Sequence, residues 1–546
     1  MWLWFACSCS EDSGGPTGTD PTWDTAHATL PTTALHPAVS ATALSCDEPS
    51  THETAPSVNT EIGEGWTFEP DWRNANWDLR WGARGVVVAD FDGDGHVDVL
   101  VPQFSEPARY LVGDGTGALV EVTGKLPAMT AMTGLVGGSA ADIDGDGDLD
   151  VMMYGQLSPP VVLVNDGNGS FEGTSHLEWD GDFPGCGGSA AWADFDIDGD
   201  LDLFYGRLGG AREDDVLVCG SRLLVNDGTG EFTDESDTHL DPLAQEVHAL
   251  AAGWVQFDDD IWPELYIVAD AIFESSSVPI EGHTDKLVDN SAEGMFLDPA
   301  NQQGLDIKLA GMGLAAGDLN EDGRTDVAVA GWGEVKVLRS TASVWVDQSG
   351  AWGIIPRTDV HQLVAWGGEF VDMDANGELD LAMGFGAAEG DEKQQPDALW
   401  LQKAGVWKDE APAWAFDDMT ATRGFVVADL NEDGWPDIVK RELGGVITTH
   451  VSNCGANGVL SVLLDDATSN NRFAVGALIK MTVGDTLRSR RVTAGSTSMA
   501  SGGPPDVFFG FGDSDWVDDV TVVWPDGEVV SYGGLGTRQR IVIRRD

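Results

Sequence analysis

The stretch ADIDGDGDLDVMMYG, residues 141–155, sets five aspartates into nine positions and then turns apolar. Like charges at that density repel one another, and next to a strand built for burial they need something to neutralise them. Oxygen donors at alternate positions suit a hard cation. Calcium takes about 6–8 oxygens at roughly 2.3–2.6 Å. Magnesium asks for a stricter octahedron, and zinc for His or Cys ligands. A merely solvated acidic loop is the plain alternative.

The pattern recurs in seven copies, at 89–101, 141–153, 193–205, 255–267, 317–329, 371–383 and 428–440. Acids or amides fall at loop positions 1, 3, 5 and 9, mostly with Gly at 6 to permit the bend. Position 7 can add its backbone carbonyl. Repetition of one spacing weighs against simple solvation, so these positions are expected to hold calcium. They are Asp90, Asp92, Asp94, His96 and Asp98 in loop one, and Asp142, Asp144, Asp146, Asp148 and Asp150 in loop two. Loop three offers Asp194, Asp196, Asp198, Asp200 and Asp202, and loop five Asp318, Asn320, Asp322, Arg324 and Asp326. Loop six offers Asp372, Asp374, Asn376, Glu378 and Asp380, and loop seven Asp429, Asn431, Asp433, Trp435 and Asp437. Loop four reads Gln256, Asp258, Asp260 and Glu264 with Ile261 in place of Gly, so weak or no metal is expected there. About six calcium sites follow. An EF-hand is excluded because position 12 is apolar and strand-like sequence follows; nine-residue calcium repeats are excluded by the period.

The first loop positions lie 52 to 62 residues apart, a period that signals a propeller or solenoid. Apolar β-formers bracket each loop, as in GVVVAD and VDVLVP, and hairpin sequences such as LVNDGNGSFEG follow. Each repeat thus supplies about four strands, the content of one propeller blade. An all-β, seven-bladed propeller with calcium loops is expected over 61–456, followed by a small β domain over 457–546. Copies two to seven are each preceded by a Phe/Trp-x-Asp strand, such as Phe232–Asp234 or Trp407–Asp409, which copy seven lacks after it. Residues 66–71, within GWTFEPDW, are expected to complete the last blade and close the ring.

Acids outnumber bases 92 to 29, a formal charge of −63, which disfavours nucleic acid and anionic membranes and favours cations. The first loop-set ligands, at positions 1, 3, 5 and 9, account for only 24 of the 92 acids, so much of the acidity is a solvated face. From residue 457 onward bases number 9 and acids 11, marking the tail as a separate, nearly neutral unit. Residues 1–9, MWLWFACSC, read either as a truncated lipoprotein or secretion signal or as a disordered apolar tip, and 10–60 as a disordered tether. No later run is apolar enough to span a bilayer. Cys46, Cys186, Cys219 and Cys454 do not make a disulfide scaffold; free thiols and isolated bridges both remain open.

No catalytic grouping emerges. The ten histidines form no Ser/His/Asp or metalloprotease motif, and paired carboxylates are too common to single out a glycosidase. Trp72, Trp77 and Trp81 suggest a sugar platform, and with it an alternative function as a polysaccharide-active enzyme or accessory module; packing within blades is the expected use of most tryptophans. Arg488, Arg490 and Arg491 could meet the acidic repeats, although ordinary charges on an exposed strand are expected.

The repeats resemble the FG-GAP/VCBS family, whose calcium-loop blades also build integrin α-chain propellers. In the tail, Asn471, Arg472, Gly476, Ala477, Phe509–Gly512 and Trp524–Gly527 resemble the ASPIC/UnbV domain, with Val507–Phe508 where that family carries a histidine. The combination is similar to the cartilage acidic protein family and its bacterial relatives. The resemblance implies an exported, extracellular or surface-held calcium-binding propeller, non-enzymatic, that recognises or adheres to a protein or glycan.

Overall fold

A computed structural model of the chain describes residues 35–44, 58–62 and most of 85–546, leaving out segments such as 175–186 and 271–283. The apolar runs on either side of each acidic loop become the first two strands of an antiparallel sheet. In the first repeat Val87–Ala89 pairs with Asp98–Val101, and Arg109–Gly113 and Leu119–Val122 add outward. The inner two strands are buried on both faces, whereas the outermost is half exposed. Adjacent sheets cover the inner strands from both sides, so their sequences run apolar rather than alternating.

The same order recurs with first strands at Leu135–Ala141, Gly187–Ala193, Ala249–Val255, Gly311–Gly317, Ala365–Val371 and Thr422–Ala428. Among the described residues seven such sheets follow one another, the fourth with three strands. In sheets two to seven the first strand carries a register shift at the same place, as between Leu135 and Gly137 or Thr422 and Gly424. A bulge there sharpens the local twist. Each first strand neighbours the next in chain order, and Thr422–Ala428 also neighbours Val87–Ala89. Val86, Val88 and Val99 share one core with Val426, Val439 and Ile447, joining the last sheet to the first. Sheets arranged radially around their first strands make a β-propeller.

The strand that completes the last sheet is not the expected one. Val58–Ile62 pairs antiparallel with Ile447–Val451, from Val58 opposite Val451 to Ile62 opposite Ile447. Residues 66–71 lie outside the described residues. VNTEI offers an amide at every position, whereas GWTFEPDW carries Pro70, which cannot donate to a ladder. The propeller sequence therefore starts at 58 rather than 61.

The tail forms two four-stranded sheets. One contains Val459–Asp466, Val507–Gly510 and Gln539–Arg545, the other Leu478–Val483, Thr486–Arg491, Trp516–Val523 and Val529–Gly536. Leu460, Ile479, Phe509, Trp524 and Ile541 meet in their shared core. The remaining strand corrects the tether assigned to 10–60: Val39–Ala43 pairs with Gln539–Arg545, and Val39 enters this core. A Ser/Thr-rich segment thus finds its order by edge pairing. No helix among the described residues is long and apolar enough to cross a membrane.

Candidate cation loops and the domain above them

Six of the seven loops fold the same way. The position-1 carboxylate accepts the position-6 amide: Gly95 to Asp90 at 2.9 Å, Gly147 to Asp142 at 3.0 Å and Gly199 to Asp194 at 3.1 Å. The series continues with Gly323 to Asp318 at 2.8 Å, Gly377 to Asp372 at 2.7 Å and Gly434 to Asp429 at 2.9 Å. All six glycines are left-handed, with φ between 81° and 100°, which a side chain would oppose. Position 4 is left-handed too, and there Ile197, Glu321, Ala375 and Glu432 adopt the conformation without being glycine. A further bond runs from the position-7 amide to the position-5 oxygen, as from His96 to Asp94, Asp148 to Asp146 and Trp435 to Asp433. Arg324 on Asp322, Asp200 on Asp198 and Glu378 on Asn376 repeat it.

The position-9 carboxylate pins the loop to its own sheet. Asp150 takes the Ile143 amide at 3.1 Å and the Asn165 amide at 2.8 Å, one on each oxygen. Asp98, Asp202, Asp326, Asp380 and Asp437 do likewise with position 2 and with the third strand. Tyr110 Oη adds a bond to Asp98 at 2.6 Å.

Carboxylate oxygens within 4.8 Å of one another come from Asp90, Asp92 and Asp94 in loop one and Asp142, Asp144 and Asp146 in loop two. Loop three contributes Asp194, Asp196 and Asp202, loop four Asp258, Asp260 and Glu264, and loop six Asp372, Asp374 and Asp380. In loops five and seven the amides Asn320 and Asn431 instead donate to Asp322 and Asp433. These carboxylates suit a cation on two counts. Burial pushes Asp142 up to about 7, Asp150 to about 8 and Asp202 to about 9, so that the ionised forms are poorly served by the protein alone. Asp92 Oδ1 and Asp200 Oδ1 are buried without a hydrogen-bond partner among the described residues. An oxygen shell of this kind fits calcium.

Loop four is built differently. Gln256 cannot accept at position 1 as a carboxylate does; its Nε2 donates to the Asp260 carbonyl at 3.0 Å. Ile261 is not left-handed, and it is 46% exposed. The three acids nonetheless converge, and the glutamine amide ties the turn that the glycine holds in the other loops.

Two features escaped the sequence reading. The Asn of the hairpin motif, taken as a turn residue, spans sheets: Asn165 Nδ2 donates to Phe91 O, Asn226 Nδ2 to Ile143 O and Asn290 Nδ2 to Phe195 O, at 2.7–2.8 Å. Each acceptor is the position-2 carbonyl of the preceding loop. The repetition of Asn at one offset was the available signal. The other feature is the seat of the tail domain. Arg490, 8% exposed, donates to Glu321 and to Gly377 O, so the expected exposed strand is an interface. Arg488 lies so close over Gly377 that a Cβ there would collide with it. Arg491 donates to Gly476 O within the tail.

Other loops are met as well. Ser469 Oγ and the Asn471 amide both donate to Gly199 O, Asn457 Nδ2 to Asp374 O, and Arg540 Nη1 to Gly95 O. Gly502 bonds between Val86 and Val88 on the first strand of sheet one, and Ala494 bridges Trp192 on that of sheet three. His96 of loop one also contacts Glu432 of loop seven. Trp72, Trp77, Trp81, Cys46, Cys186 and Cys219 lie outside the described residues; Cys454 is disulfide-bonded.

Residues 467–546 match the ASPIC and UnbV family model, and residues 90–153 and 142–205 match the FG-GAP-like repeat model. The chain therefore joins FG-GAP-like repeats to a C-terminal ASPIC/UnbV domain. No curated protein matches the chain. Among solved structures it is similar to an Agrocybe aegerita lectin that recognises non-reducing terminal N-acetylglucosamine (14% identity, 65% of this chain and 88% of that one, TM-score 0.40). It is also similar to YCF48 bound to D1 peptide (10% identity, 74% and 99%, TM-score 0.37). A third is BBS1N in complex with ARL6DN (7% identity, 73% and 97%, TM-score 0.41).

Proposed function

We propose that this chain is an exported, seven-bladed calcium-binding propeller that works as a non-enzymatic recognition or adhesion protein, its partner a protein or glycan at the cell surface or matrix. One observation carries the reading: six loops fold to one plan, each with a bend held by the same amide on the same carboxylate. Calcium would supply the positive charge that lets these carboxylates stay ionised beside a buried strand. The residues holding it are those at positions 1, 3, 5 and 9.

The tail domain rests on those loops, so ordering them firms a surface shared by both domains. The disulfide at Cys454 supports an oxidising compartment. Trp192, Trp366, Trp400, Trp414 and Trp524 are all buried in cores, which supports packing over a sugar-processing cleft.

Calorimetric titration with calcium, paired with thermal unfolding, tests the reading. About six ions per chain are expected to bind, each stabilising by about 2.7 kcal/mol at a hundredfold excess over Kd. No heat and an unmoved Tm in millimolar calcium would overturn it.

A further inference from the structure

Loop four differs from its siblings at the atom that matters most for a ligand. In the other six loops both oxygens of the position-9 carboxylate accept backbone amides. Glu264 is one methylene longer: Oε2 takes the Phe257 amide at 2.7 Å, while Oε1 is buried with no hydrogen-bond partner among the described residues. The residue is 1% exposed. A buried carboxylate oxygen left dry is costly unless a cation meets it. Its carboxylate lies with those of Asp258 and Asp260 inside 4.8 Å, a spacing that oxygens on one calcium ion adopt.

Asp258 and Asp260 also line a cavity of 390 Å³ between the propeller and the tail domain. Lys480 and Arg491 of the tail line the same cavity. Clefts at domain seams are favoured places for small ligands, and this volume lies in their usual range of about 300–1,000 Å³.

We propose that loop four is an open cation site in which calcium, held by Asp258, Asp260 and Glu264, keeps coordination positions free for a carboxylate-bearing ligand that also meets Lys480 and Arg491. Lys480 and Arg491 favour an anion, and calcium with open positions favours one that offers oxygen donors. Asp194 and Asp322 on the same cavity wall weigh against a dianion such as phosphate and leave a singly charged carboxylate as the better fit. This inference rests on the calcium reading above, adds a seventh ion to the six expected there, and names a ligand class for it.

The test uses the full chain. Calcium is titrated first, then D-glucuronate and N-acetylglycine separately into calcium-loaded protein, with glucose and inorganic phosphate as controls. At least one carboxylate is expected to bind, only with calcium present; which one binds separates a uronate sugar from a peptide terminus. Glu264→Gln, which keeps an acceptor for Phe257, is expected to lose one calcium per chain and to weaken the bound carboxylate by about tenfold or more. Asp260→Asn, at an exposed position, is expected to do the same. Lys480→Gln is expected to keep every calcium and weaken the carboxylate by about tenfold. Binding of neither carboxylate, tighter binding of phosphate, or a full calcium complement in both loop-four variants overturns the proposal while the other loops still fill. Absence of calcium uptake at every loop instead overturns the broader reading.

Discussion

Arg490 of the C-terminal domain donates through Nη1 to Glu321 Oε1 at 3.0 Å, inside the fifth acidic loop. Next to it Ser489 Oγ donates at 3.1 Å to Asp318 Oδ2, an oxygen at loop position 1. The domain is therefore fastened to groups that also shape the cation loops.

Arg490→Ala is expected to loosen this seat by about 2 kcal/mol, since it removes charge-assisted bonds from a buried position. Protease susceptibility of residues 457–546 should rise while the propeller stays resistant. Arg490→Lys should restore only part of the loss, because an ammonium cannot fork between Glu321 and Gly377 O.

Asp146→Ala in loop two is expected to lose one calcium and to lower Tm in calcium, with a much smaller change in chelator. Calorimetric stoichiometry and paired melts check it. Equal melting shifts with and without calcium would mean that Asp146 acts only through its bond to the Asp148 amide.

Acidity gives a third test. Burial holds Asp142 at about 7 and Asp150 and Asp326 at about 8. An aspartate in the unfolded chain titrates at about 3.9. Between about pH 4 and pH 8 the metal-free folded state thus binds more protons than the unfolded one, so its stability falls as pH rises across that window. Calcium needs deprotonated ligands, so its affinity should rise over the same window. Melts in chelator should show a higher Tm at about pH 5.5 than at about pH 7.5, and calcium should remove or invert that order. A metal-free Tm that climbs with pH would contradict the burial argument.

Asn226→Ala is expected to cost about 2 kcal/mol, since Nδ2 bonds both Ile143 O and Leu201 O across two sheets. Denaturant unfolding measures it. Asn226→Asp should cost at least as much, because a carboxylate cannot donate to those carbonyls.

The acidic loops and their repeat are legible in the chain's own order of residues, because both are local. A bend needs its Gly within six residues, and strand pairs that flank a loop are fixed by the apolar runs beside it. The supply of about four strands per repeat was legible for the same reason. Which segment completes the last sheet is a matter of tertiary pairing: residues 66–71 read as the closing strand and 58–60 as tether, yet it is Val58–Ile62 that pairs with Ile447–Val451. Tertiary structure decided likewise that Val39–Ala43 joins the tail, that Arg490 is buried against Glu321, and that Glu264 keeps one oxygen unpaired. These are contacts between residues far apart in the chain, or an oxygen's lack of one, and no local spacing encodes them.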